Sequence, residues 1–326
     1  INNENGLQNN TILGILNDKN DNIWLSLDRG IDFISFQSDS SYSLVRADEV
    51  GAVYSAALFR GNLFLGTNQG VFYRKWDIND KPFTFLEGTQ GQTWNCRIFD
   101  DQLFISHNNG TYLVKNNIAG RISIVGGGFS LIPNPKDSRG LVQCTYSNIV
   151  FFKKDAGRWQ YSYQLNNFNN LIRYIEIDHM NNLWASHMHR GVFYMKLNDR
   201  QDSILEERYY GTETFGKENN IQVFQVENRV VFTTGKMIYT YDDINDTIIP
   251  YTQFNRLTGD YAASHRIVAG PDHHYWFLSN KGIALFKIGI NSFEKIKDYP
   301  IELFREHLII GYENIIPLSA YTGLLC

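Results

Sequence analysis

Apolar and polar residues alternate along this chain in short runs, separated by turns rich in Asn, Asp and Gly. Asn10-Thr-Ile-Leu-Gly-Ile-Leu-Asn-Asp18 gives way to Lys-Asn-Asp-Asn22, then Ile23-Trp-Leu-Ser-Leu27, Asp28-Arg-Gly30 and Ile31-Asp-Phe-Ile34. This reads as strand, turn, strand, turn, strand, with a looser fourth strand at Tyr42 to Arg46. The turn residues supply the positive φ that tight hairpins require.

The order then recurs. An aromatic-led strand runs into a glycine turn at Trp24 to Gly30, Phe64 to Gly70 and Phe104 to Gly110. Weaker copies lie at Val142 to Asn148, Trp184 to Gly191, Phe232 to Met237 and Trp276 to Gly282. The leading residues are separated by 40, 40, 38, 42, 48 and 44 positions. That period with strand-like units predicts a β-propeller, each repeat being one four-stranded blade. Repeat four is irregular, with Gly126-Gly-Gly128 before its first strand and Pro133 and Pro135 at the turn. An eighth unit begins at Tyr312 and breaks off at Cys326. The expectation is an all-β fold, a β-propeller of seven four-stranded blades with eight as the alternative, ending in an incomplete repeat. Residues 1–326 then form a single propeller domain, a fragment of a larger protein.

Composition narrows the classes. The chain has 326 residues, 43% hydrophobic and 14% aromatic, suited to blades that stack face to face. Lys+Arg 30 against Asp+Glu 34 gives a net charge of −4 and no basic excess, so direct nucleic-acid contact is disfavoured. No apolar run reaches membrane-spanning length, and the first residues show no charged leader with an apolar signal region. Cys96, Cys144 and Cys326 are an odd count in separate repeats, expected to be small buried residues.

Propeller geometry sorts residues by face. The first strand of each blade lines the axis, so its opening residues share a face with the loop joining strands two and three. That face collects Tyr54, Gln92, Trp94, Arg173, Tyr174, Gln222, His265 and Arg266 from strand starts. Its loops add Asp28, Arg29, Asn68, Gln69, His107, Asn108, Asn109, His187, His189 and Asn280. Amides, imidazoles, guanidiniums and rings in one circle suit a polar ligand such as a sugar, although polar loops also simply face water. His107 and His187 occupy the same repeat position, but blades two apart are too distant to share a metal ion with His179 or His189. No metal site and no cofactor are expected. Asp18-Lys-Asn-Asp21-Asn22 lacks the glycine and distal Glu of a calcium loop and reads as a hairpin turn; His273-His274, at the equivalent turn, reads as solvated. Elbow, zinc-helix and phosphate-loop signatures of catalysis are missing. Paired carboxylates in the channel are the enzyme alternative.

Gly6-Leu-Gln-Asn-Asn-Thr11, Ile15-Leu-Asn-Asp18, Asp21-Asn-Ile-Trp-Leu25 and Gly30-Ile31 resemble the two-component-regulator propeller repeat. Leu63 to Val71, Asn182 to Val192 and Gly311-Tyr-Glu-Asn look like degenerate copies. The resemblance implies a non-catalytic periplasmic sensor of a Bacteroidetes membrane regulator of transcription, responding to an oligosaccharide or similar ligand. It further implies a second propeller and a three-tyrosine domain in the same protein, a homodimer, and a hybrid kinase or helix-turn-helix output. The alternatives are a propeller lyase or glycoside hydrolase, and a purely structural or protein-docking propeller.

Overall fold

Repeats two to seven each fold as a four-stranded antiparallel sheet in simple meander order, and the blades keep the numbers of their repeats below. The structure, a computed structural model, describes residues 11–17, 23–27, 31–34, 50–76, 82–290, 292–300, 316–317 and 324–325. The chain divides into two compact units, Ile1–Val45 and Arg46–Cys326. The first holds a three-stranded sheet of Ile12–Asn17, Ile23–Leu27 and Ile31–Ile34. The fourth strand expected at Tyr42 to Arg46 lies outside the described residues.

In the second unit the inner strands of blades two to seven are Val53–Phe59, Thr93–Phe99, Leu131–Pro133, Ile172–Ile177, Gln222–Val226 and Arg266–Ala269. Each second strand, such as Asn62–Thr67 or Gln102–His107, runs back beside its inner strand. Adjacent blades pack in sequence order: inner strands meet between blades two and three, four and five, five and six, and six and seven, while blades three and four meet through their outer strands Ile118–Ser123 and Arg158–Gln164. The described residues therefore hold six four-stranded blades, which corrects the expected seven or eight. Repeat one shows three strands among the described residues, so counting repeats credited it with a full blade. The eighth repeat lies outside the described residues apart from two two-residue strands, Ile316–Pro317 and Leu324–Leu325.

The repeat's leading aromatic explains the period. Phe64, Phe104, Trp184, Phe232 and Trp276 are all buried, each in a cluster of side chains. Trp184 is 0% exposed and meets Tyr194, Phe232 and Tyr241 at centroid distances of 4.9, 5.1 and 4.8 Å. The ring of blade five is thus wedged against blade six. Burying one such side chain stabilises by roughly 1.5–3 kcal/mol, and the aromatic pairing adds to this. Cys96 and Cys144 are buried free thiols, pushed up to about 12 by burial. Cys326 lies outside the described residues.

Two short helices, Thr212–Phe215 and Thr252–Thr258, sit in the connectors leading to blades six and seven. The sequence reading missed both, because each is too short to build a helical period. Their buried Phe215 and Phe254 seal the gaps between successive blades.

Candidate functional site

Register fixes which residues share a face. Val53 pairs with Thr67, Thr93 with His107, Ile172 with His187 and Gln222 with Thr233. The start of each inner strand therefore lies beside the end of its second strand, as the face argument required. Three inner strands carry a bulge there, at Tyr54, Trp94 and Arg173, between register pairs Val53/Ser55, Thr93/Asn95 and Ile172/Tyr174. A bulge leaves one residue unpaired and re-aims its side chain.

Two of these residues meet. Tyr54 and Trp94 stack with centroids 5.0 Å apart and an interplanar angle of 29°. The series continues through Phe129, 5.2 Å from Trp94, to Tyr146, 5.3 Å from Phe129. Trp94 Nε1 donates to the Tyr146 hydroxyl at 3.0 Å. The result is an aromatic ladder across blades two, three and four. Tyr54 and Trp94 are half-buried, Phe129 is buried, and Tyr146 is 37% exposed. Sequence reasoning missed Phe129 and Tyr146, although the Gly126-Gly-Gly128 run was the signal for them. Gly127, at φ 77°, lies against the Tyr146 ring where any Cβ would overlap it. A Cβ on Gly126 would press on the Asn108 carbonyl, and one on Gly128 on the Gln143 amide. Three glycines let the backbone pass between blades and hold the ladder's outer ring.

In blades two to seven the hairpin closing the second strand is capped by its own side chain. Thr67 Oγ1 accepts from the Gln69 N–H at 3.1 Å, Thr145 Oγ1 from Asn148 at 3.0 Å, and Ser279 Oγ from Lys281 at 3.1 Å. Thr234 Oγ1 takes the Met237 N–H at 3.3 Å. His107 Nδ1 accepts from Asn109, and His187 Nδ1 from His189, both at 3.0 Å. The two histidines thus perform the task that Thr or Ser performs in the other blades, with Nδ1 unprotonated. Burial holds both below the ordinary histidine value; at His187 the charges of Arg190 and His189 add to this. His107 is fully buried and His187 partly so.

The remaining candidates divide. The Gln92 carbonyl receives the Asn108 N–H at 2.9 Å, and the buried Asn108 Oδ1 has no hydrogen-bond partner. Gln222 Oε1 is likewise buried without a partner. Tyr174 packs into the cores beside Phe224, ring centroids 5.6 Å apart, and so serves the blade interfaces. His265 donates its N–H to the Leu278 carbonyl at 3.0 Å, and His189 is exposed. Asp28 and Arg29 lie outside the described residues, as does the Asp18 to Asn22 turn. On the opposite face, His273 is not simply solvated: its Nδ1 lies 2.9 Å from Glu227, tying blades six and seven.

Deeper along the axis, Arg97 of blade three stays exposed to water although protein surrounds it. Glu176 of blade five occupies the equivalent position, opposite Trp184 as Arg97 is opposite Phe104. Burial pushes Glu176 up to about 8, partly offset by Arg97 and by the Gln225 backbone. Burial lowers Arg97, while Glu176 acts against it and Arg266 acts with it. These three side chains come from the inner strands of alternate blades. Neither Arg97 nor Glu176 was picked out from sequence, since a lone charge in an apolar strand gives no pattern. Among the described residues no group of three or more His, Cys, Asp or Glu is placed to hold a metal ion. A cavity of about 60 Å³ on the opposite face, beside Asp178 and Arg229, is of water size.

No family model and no curated protein matches this chain. Solved structures do. The fold is similar to the extracellular domain of the hybrid two component system BT3049 of B. thetaiotaomicron, at TM-score 0.63 and 15% identity, over 90% of this chain and 41% of that one. The extracellular domain of BT4673 from the same organism, described as a one component system, gives 0.56 and 13%, over 90% and 43%. Virginiamycin B lyase of Staphylococcus aureus gives 0.53 and 13%, over 82% and 89%. The chain spans less than half the length of the two regulator domains. These likenesses define a β-propeller, of the architecture found in the extracellular domains of the regulators that repeat one resembles.

Proposed function

We propose that this chain is the propeller portion of an extracytoplasmic sensor and binds a sugar-like polar ligand on the face that carries Tyr54, Trp94 and Tyr146. The observation that carries the reading is the aromatic ladder. Its outer rings keep solvent-facing area although they lie at a blade junction where apolar surface is otherwise buried. Flat rings beside amide and guanidinium groups suit the apolar face and hydroxyl edge of a pyranose. In a full-length regulator, binding signals by favouring one arrangement of propellers and protomers over another, because packed blades resist internal change. The enclosing protein is then anchored in a membrane, and its second propeller, three-tyrosine domain and partner protomer complete the response. Among the described inner strands Glu176 is the one carboxylate, which disfavours the paired-carboxylate hydrolase.

The test is tryptophan fluorescence and calorimetry with a panel of oligosaccharides. Binding should quench Trp94, and Trp94→Ala should weaken it about tenfold or more while the thermal transition remains cooperative. A ligand that binds equally well to the Trp94→Ala protein overturns the placement; a panel without binders overturns the reading.

A further inference from the structure

The face that carries the ladder is divided by charge. In blades two, three and four the segments opening the inner strands, residues 50–55, 90–95 and 126–131, contain no Asp, Glu, Lys or Arg. Nor do the hairpins beside them, residues 66–71, 106–111 and 144–149. His107, within one of these, is buried with its value lowered, and so stays uncharged at neutral pH. The corresponding segments of blades five to seven carry Arg173, Arg190, Lys236, Arg266 and Lys281. The aromatic ladder lies wholly in the uncharged half. There the hairpin tips are Asn68-Gln69, Asn108-Asn109 and Tyr146-Ser147, which offer amides and hydroxyls.

Within the ladder the rings have different tasks. Trp94 has Tyr54 stacked at 5.0 Å and Phe129 at 5.2 Å, so its neighbours cover much of it. Its indole N–H is engaged as well, by the Tyr146 hydroxyl at 3.0 Å. That hydrogen bond lies at the exposed surface, and the phenol oxygen that accepts it still holds a proton of its own. Among the described residues this proton meets no acceptor. An oxygen that accepts becomes a stronger donor, so the indole both fixes the phenol and strengthens it.

We infer that the ligand of this half is an uncharged oligosaccharide, one of whose oxygens accepts the Tyr146 hydroxyl proton. Tyr146 is then the residue that sets specificity, and Trp94 the residue that positions it. A carboxylate, sulfate or ammonium group brought against these rings and amides would lose hydration with no counter-charge beside it. A sugar hydroxyl keeps its hydrogen bonds by exchanging water for phenol and amide groups. The inference rests on the proposed ligand-binding role and names the ligand's class and one contact.

The experiment measures calorimetric affinity for neutral cello-, xylo- and manno-oligosaccharides beside acidic oligomers of pectin and alginate. At least one neutral member should bind, with an affinity that changes less than about twofold between low and high salt, where exposed charges become screened. Tyr146→Phe keeps the ring and should lose tenfold or more against that sugar, while still unfolding cooperatively. Replacing Tyr146 with 3-fluorotyrosine separates the roles of the hydroxyl, since fluorine makes the phenol a stronger donor and a weaker acceptor. Affinity should rise with it; no rise would mean that the hydroxyl serves only to hold Trp94. Equal binding to the Tyr146→Phe protein would likewise overturn the contact. If acidic oligomers alone bind, or binding weakens several-fold with salt, the ligand class is wrong and the sensor reading stands. If no member binds, both fall.

Discussion

His187 shows how one atom sets the behaviour of a residue. Its Nδ1 accepts the His189 N–H, so the cap exists only while that nitrogen is unprotonated. The folded value lies below the ordinary 6.5, from burial first and then from Arg190 and His189. The unfolded chain therefore takes up protons first as pH falls. The cap's contribution is complete above about 6.5 and is lost as pH drops through the folded value. This contribution lowers the urea midpoint between pH 8 and pH 5, so His187→Thr, which restores the hydroxyl cap of blades two, four and six, should be more stable at pH 5 relative to pH 8 than the parent protein. An unchanged slope in the variant would show that the imidazole cap does not couple to protonation. The sequence displayed the equivalence of His107 and His187 but not its meaning, because Thr67 and Ser279 resemble histidine only in what they accept. Trp94 was legible as an opening residue of its strand. Its ladder was not, since Phe129 and Tyr146 reach it from a blade whose spacing is broken by glycines and prolines.

At the scale of the element, hairpins carry much of the order. Asp178 ends the inner strand of blade five and accepts four hydrogen bonds. They come from the N–H groups of Met180 and Asn182, the Asn182 amide and the Trp184 indole, at 2.9, 2.8, 3.2 and 2.9 Å. Removing it leaves a buried indole N–H and a bare turn. Asp178→Ala should cost about 2–4 kcal/mol in chemical denaturation, the indole contributing the penalty of an unsatisfied buried donor. A loss under about 0.5 kcal/mol would mean that water replaces the carboxylate. Blades also communicate sideways through Gln143, which accepts from Thr111 at 2.7 Å and donates to Ser106 at 2.8 Å, fully buried between blades three and four. Strands were readable here because alternation and Asn/Gly turns are local signals. Bulges were not, because a bulge is a difference in length between two strands, visible only once their register is known.

For the whole molecule the decisive quantities are the number of blades and the coupling of charges between them. The period alone set the architecture. The count of six four-stranded blades among the described residues needed the structure, since only there does repeat one show three strands. The coupling of charges also emerges only in three dimensions: Arg97, Glu176 and Arg266 lie far apart in the chain and yet act on one another. Glu176 gives this a thermodynamic signature. Its folded value of about 8 exceeds the ordinary 4.5, so as pH rises the unfolded chain ionises first and folding loses stability across that window. Glu176→Gln should remove this component and make the protein relatively more stable at pH 8 than at pH 5, read from thermal midpoints of both proteins. Identical pH profiles would place Glu176 in contact with bulk water.

The capped hairpins carry a last consequence, for inheritance. In six blades one socket is filled by Thr, His, Thr, His, Thr and Ser, and each makes the same turn. A position that asks only for a short acceptor tolerates drift, and the loop beyond it can be rewritten without disturbing the sheet. A lineage can therefore try new recognition surfaces one blade at a time, with the scaffold acting as a fixed typeface and the loops as interchangeable letters.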